Sequence, residues 1–189
     1  GPALCIALGM TLGAVGDLLM AGLLPVEPRL PLGMGAFGLG HVAYIVGLLS
    51  LGARCGLSVL AGYGAWAAWL LVGLAGWMLA VYRGTRGAGR ESARPTALVW
   101  AALAYTLLLS STPGVAASQT TAASLALQAA CLAPMALGGA LFLLSDLLLA
   151  GKQFGTWQGR ALDDLIWLTY GPAQMLLVYG LLLALAHLL

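Results

Sequence analysis

Apolar residues run through this chain in blocks of about 20, broken by clusters of charge, proline and glycine. A helix needs about 20 such residues to cross a hydrocarbon core, so each block reads as a membrane span. The pattern predicts helices near 3–24, 33–52, 57–82, 95–112, 122–150 and 162–188. The fifth is long, and Pro134 with Gly138-Gly139 predicts a kink or tilt within it. The ten-residue alternation of a membrane barrel is absent. The loops are too short for a soluble domain. The predicted fold is therefore all-α, a polytopic transmembrane helical bundle forming a single domain over residues 1–189. Residues 3–24 are too long, and too similar to the later spans, for a cleaved signal peptide. The chain opens on Gly1-Pro2 rather than Met, which leaves room for a further upstream span.

Composition agrees with lipid as the solvent. Of 189 residues, 61% are hydrophobic and only 7% charged, with a mean hydropathy of +0.98. Soluble domains carry about 25% charged residues. The net charge of +2 says little, but its distribution says more. Six spans put loops 25–32, 83–94 and 151–161 on one side, with Arg29, Arg83, Arg86, Arg90, Arg94, Lys152 and Arg160; the other side has Arg54 alone. Basic loops stay inside, so the first side is predicted to be cytoplasmic. Cys5, Cys55 and Cys131 are odd in number and widely spaced, with no CxxC pair. They read as small apolar packing residues rather than as a disulfide framework or zinc site.

Two aspartates interrupt the apolar pattern in nearly matching settings, Gly16-Asp17-Leu18-Leu19-Met20-Ala21-Gly22 and Ser145-Asp146-Leu147-Leu148-Leu149-Ala150-Gly151. A carboxylate at membrane depth costs about 2.5–3.5 kcal/mol, so such residues are usually paired, solvated or functional. Asp17, Asp146, His41 and Tyr170 all fall toward the basic end of their spans, and Gln174 lies one turn deeper than Tyr170. Every strongly polar side chain within the spans, terminal His187 apart, is thus expected in one half of the bundle. His41 follows Asp17 at the same separation as Tyr170 follows Asp146. That spacing suggests a parallel pseudo-repeat of hairpins 3–52 and 122–188.

Helical periodicity predicts which way these groups face. Gly9, Gly13, Gly16 and Asp17 share one side of the first span, where small residues admit a close neighbour. Gly138, Gly139, Phe142 and Asp146 do so on the fifth. Phe37, Gly40, His41, Tyr44 and Gly47 form a stripe on the second, and Asp163, Trp167, Tyr170 and Gln174 on the sixth. Four such stripes describe a cavity opening toward the cytoplasm.

Two neighbouring carboxyl groups in a poorly solvated site resist ionising together, which suits one as acid and the other as base, as in glycoside hydrolysis. The bland alternative is a pair of buried aspartates satisfied by tyrosine and glutamine. Tyr44, Tyr170, Gln174 and Ser145 are candidates to orient the acids or bind substrate. His41 either orients Asp17, relays a proton or packs. Zinc wants three or four ligands, and His187 lies at the far end, so no metal or other cofactor is expected. Trp66, Trp69, Trp77 and Trp100 read as packing or interfacial residues. The Arg83–Arg94 cluster most simply enforces topology, while Arg29, Lys152 and Arg160 border the cavity and could meet a lipid phosphate. No GxSxG elbow, Walker loop, HExxH or nucleic-acid motif is present, so partners are expected among membrane lipids, not nucleic acids.

At these residues the chain resembles the lysoplasmalogenase family, or YhhN-type membrane proteins. The resemblance rests on the Gly16-Asp17 helix, on Phe37 through Gly40-His41 to Tyr44, on Gly139-Ala140-Leu141-Phe142 into Ser145-Asp146, and on Thr169-Tyr170 to Ala173-Gln174. The middle of the chain matches in hydropathy alone. Family members usually carry a further amino-terminal helix with a Lys-Pro signal, which this chain lacks. The resemblance implies hydrolysis of the vinyl-ether bond of a lysoplasmalogen, with water and a lysophospholipid as substrates; Asp17 and Asp146 suit that reaction as an acid–base pair, with neither assigned to either role. The competing readings are a proton-coupled transporter and a non-catalytic lipid-binding protein. The absence of polar residues in the outer half argues against a through-pathway.

Overall fold

The computed structural model describes residues 1–87, 95–123 and 126–188, and among these it is helical with no strand. Its helices are α1 (Pro2–Met20), α2 (Arg29–Arg54), α3 (Tyr63–Trp77), α4 (Arg83–Gly87), α5 (Thr96–Ala122), α6 (Ala126–Gln153) and α7 (Arg160–Leu188). A 3₁₀ turn at Val59–Gly62 and a π turn at Met78–Tyr82 join α3 and α4 into one span, Val59–Arg86. Among the described residues six helices are thus long and apolar enough to cross a membrane, as the sequence predicts.

The boundaries differ from the sequence reading for local reasons. α1 stops at Met20 because the chain turns through Gly22, whose φ of 71° is strained for any side chain. α2 starts at Arg29 rather than 33, since Pro31 sits in its first turn, where no helical partner exists for an N–H. α5 does not end at 112. It runs through Pro113 to Ala122, with the Pro113 ring seated where a β-carbon on Gly139 of α6 would otherwise lie, 2.8–3.0 Å away. Neighbouring helices tolerate a proline in this way within membranes.

α5 is the central post, packing against α2, α3 and α6. Outside it stand two intimate hairpins, α1 with α2 and α6 with α7. Tyr44, Leu48, Leu109, Leu132, Met135, Phe142 and Leu177 fill the space between them. A second cluster surrounds Trp77, whose Nε1 donates to the Val99 carbonyl at 3.2 Å and whose ring stacks on Trp100 and Tyr82. Cys131 is buried in the first cluster, and Cys5 and Cys55 are free.

The two hairpins share a packing register. Gly9 faces Tyr44, and Gly16 faces Phe37 with ring atoms 2.8 Å from a hypothetical β-carbon. The shift that carries Asp17 onto Asp146 carries these pairs onto Gly138 with Ala173 and Ser145 with Ile166, which also meet.

Arg29, Arg83, Arg86, Lys152 and Arg160 lie at one end of the bundle, where Thr156 Oγ1 ties the α6–α7 loop to the Ala80 carbonyl at 2.6 Å. Arg54 lies at the other end beside Gly1. Arg90 and Arg94 fall outside the described residues.

Candidate functional site

The site follows from what the small residues of α1 admit. Glycines at 9, 13 and 16 leave notches filled by Tyr44, by Gln174 Nε2 and by Phe37. α1 packs on α2 and touches α7 rather than running along α6, so a space opens between α1 and α6 at the basic end. It is a cavity of about 360 Å³. Asp17 and Asp146 both line it, with Phe37, Ser145, Gln153 and Tyr170. Asp163 and Trp167 stand at its outer part, on the helix face that the sequence stripe assigned to them.

A tyrosine holds each carboxylate. Tyr170 donates to Asp17 Oδ2 at 2.8 Å, and Tyr105 donates to Asp146 Oδ2. The first bond ends a chain. Tyr44 donates to Gln174 Oε1 at 3.1 Å, Gln174 Nε2 donates to the Tyr170 hydroxyl at 3.0 Å, and Tyr170 passes its own proton toward Asp17. Such bonds satisfy groups that lipid cannot and hold the acids in one orientation. Edge-to-face packing fixes the tyrosine in turn: the Tyr170 ring lies 5.3 Å from Phe142 and 5.9 Å from Trp167 between centroids.

The structure gives several of these residues partners that the sequence did not name, and corrects one expectation. His41 is fully buried and its Nδ1 pairs with Thr112 Oγ1 at 2.7 Å, so it does not orient Asp17 by a direct bond. It sits deeper than expected because α2 begins earlier. Its ring is packed on Phe142 at 4.4 Å, and among the described residues Nε2 has no hydrogen-bond partner. Thr112→Val should leave both ring nitrogens unpaired and lower stability by about 1–3 kcal/mol. Thermal unfolding in detergent checks this. Ser145 Oγ donates to the Ile166 carbonyl at 3.1 Å, pinning α6 to α7 beside the cavity rather than touching an acid. Polar groups are also not confined to one half. Gln119, fully buried on the added length of α5, donates through Nε2 to the Leu48 carbonyl at 2.9 Å near the opposite end.

The basic rim is only partly assembled. Lys152 pairs with Asp163, which lines the cavity, whereas Arg29 pairs with Glu27 at 2.8 Å and Arg160 is exposed. None of the three cations lines the cavity itself. Among the described residues, no group of three or more His, Cys, Asp or Glu is arranged to hold a metal ion.

Sequence reasoning missed Tyr105 and Thr112, both on α5. A signal existed. Ala102, Tyr105, Thr106, Leu109, Thr112 and Ala116 recur at helical spacing and form the face that α5 turns to its neighbours. A buried tyrosine hydroxyl on such a face needs a polar partner.

No curated protein and no solved structure matches the chain. The YhhN family model matches residues 2–181, nearly the whole length, and the chain therefore belongs to the YhhN family.

Proposed function

We propose that this protein is a membrane-embedded hydrolase that cleaves the vinyl-ether bond of lysoplasmalogens, releasing a fatty aldehyde and a glycerophospho-alcohol. One observation carries the reading: two carboxylates from separate helices line one cavity, each held by its own tyrosine. Membership of the YhhN family supports it.

The chemistry asks for what these residues offer. One carboxylic acid transfers its proton to the β-carbon of the vinyl ether, and the π electrons form the new C–H bond. The resulting oxocarbenium ion is stabilised by the negative charge left nearby. The second carboxylate takes a proton as water adds to the cationic carbon, giving a hemiacetal. The first carboxylate then regains a proton from the hemiacetal hydroxyl, and the second acid protonates the departing glycerol oxygen. The C–O bond breaks, the aldehyde leaves, and both acids return to their starting states. The Tyr44–Gln174–Tyr170 chain keeps one oxygen of Asp17 occupied and the other directed, while Tyr105 does the same for Asp146. On this reading the basic end faces the cytoplasm, with Arg29, Lys152 and Arg160 near the lipid head group. The matching registers of the two hairpins fit an origin by duplication.

Purified protein incubated with lysoplasmenyl-ethanolamine, with a hydrazine to trap aldehyde, should give catalytic release. Absence of aldehyde, together with solute or proton flux in proteoliposomes, would put a carrier in its place.

A further inference from the structure

Asp146 borders two spaces, not one. Beside the 360 Å³ cavity is a narrow passage of about 40 Å³. Met20, Phe37, Leu149 and Gln153 wall both spaces, and Asp17 lines only the larger. Besides Asp146, Tyr105, Thr106 and Gln153 the passage has apolar walls, including Met34, Leu109, Leu143 and Leu147. Met34 and Tyr105 belong also to a third space, a groove of about 480 Å³ on the outer face between α2 and α5. Its floor is bared by two glycines. A β-carbon on Gly35 would meet nothing within 4 Å, and the nearest atoms to one on Gly38 would be of Leu108 and Tyr105 at 3.6–3.9 Å. Leu39 and Val42 flank it, 61% and 43% exposed, on a helix face at membrane depth.

The three spaces thus adjoin one another through shared walls and become less polar in that order, with Asp146 between the first two. A single-chain lipid has the same order: charged head, linkage, hydrocarbon tail. We infer that the passage and the α2–α5 groove hold the hydrocarbon chain of the substrate lipid, with its head group in the cavity shared by Asp17 and Asp146. This inference rests on the hydrolase reading and divides its roles. The β-carbon of a vinyl ether belongs to the tail and the α-carbon to the head-group oxygen. Threaded this way, the β-carbon lies at Asp146, which supplies the proton. The α-carbon faces the wetter cavity, where Asp17 takes the proton from water. Bond changes are those already given, with each acid now named.

The test uses the full chain in nanodiscs with an uncleavable alkyl-ether lysophosphoethanolamine carrying a diazirine at the end of its chain. Photolabelling should fall on α2 and α5 around Gly38, Ala104 and Leu108. Excess lysoplasmenyl-ethanolamine should displace it, and excess diacyl phospholipid should not. Gly38→Trp fills the groove. It should cut labelling and long-chain aldehyde release by about tenfold or more, because buried methylenes are lost. The loss should be several-fold smaller for a short-chain vinyl ether whose tail does not reach the groove. Labelling confined to Leu18, Leu23 and Trp167, or undiminished by the competing lysolipid, overturns the assignment. Labelling needs no turnover. Displaceable labelling of α2 and α5 without aldehyde release keeps the groove and removes the hydrolase; release with labelling elsewhere does the reverse.

Discussion

Asp146→Asn should lower aldehyde release by about 10²–10⁴-fold, the usual contribution of a positioned proton donor or acceptor. Asp17→Asn should do the same. Asparagine keeps the shape of aspartate and can still accept the bond from Tyr105 or Tyr170, but its amide cannot exchange the proton that the reaction moves. The double variant should be little worse than either single one, since residues that act as a unit are not additive in their losses. Neither change should unfold the protein. An amide is cheaper than a carboxylate at membrane depth, so the unfolding midpoint in detergent should hold or rise. Full turnover in either single variant sinks the acid–base assignment, and a collapsed midpoint would make the aspartates structural.

The second large effect is on stability. Gly138 lies where α6 crosses α7, and a β-carbon there would come within 2.9 Å of the Ala173 carbonyl oxygen and 3.0 Å of the Leu177 nitrogen. Both are backbone atoms of a helix, which cannot swing aside as a flexible side chain can. Gly138→Leu should therefore force the hairpin apart and cost about 1–3 kcal/mol, the range for overpacking a filled core. Gly64→Leu is the control, because a β-carbon at that position meets nothing within 4 Å. It should stay within about 0.5 kcal/mol of wild type. Thermal unfolding of the three proteins in one detergent decides the matter, and equal stability of Gly138→Leu and wild type would show the crossing to be loose.

Much of this protein was legible without coordinates because lipid is a demanding solvent. A spanning segment must satisfy its own backbone, so long apolar blocks can only be helices, and six of them were readable directly. Charged side chains are costly enough there that Asp17 and Asp146 stood out as a candidate site by their mere presence. Periodicity also placed Phe37, Asp163, Trp167 and Tyr170 on faces that do line the cavity. Helix ends were less legible, since Pro31 and Pro113 look like breaks in one dimension. The first occupies a turn with no bond to lose, and the second is accepted by the notch at Gly139.

What no linear reading could supply was the partner of each polar group. Spacing linked Asp146 to Tyr170 and Asp17 to His41, yet Tyr170 bonds Asp17, Tyr105 bonds Asp146, and His41 turns to Thr112. Partners are chosen by how helices pack across the bundle, and α5 stands between the hairpins where no hydropathy signal reports its neighbours. The acids themselves were thus determined by chemistry local to the chain. Their hydrogen bonds, the cavity they share and the passage beside Asp146 were decided by tertiary packing, because those depend on which surfaces meet.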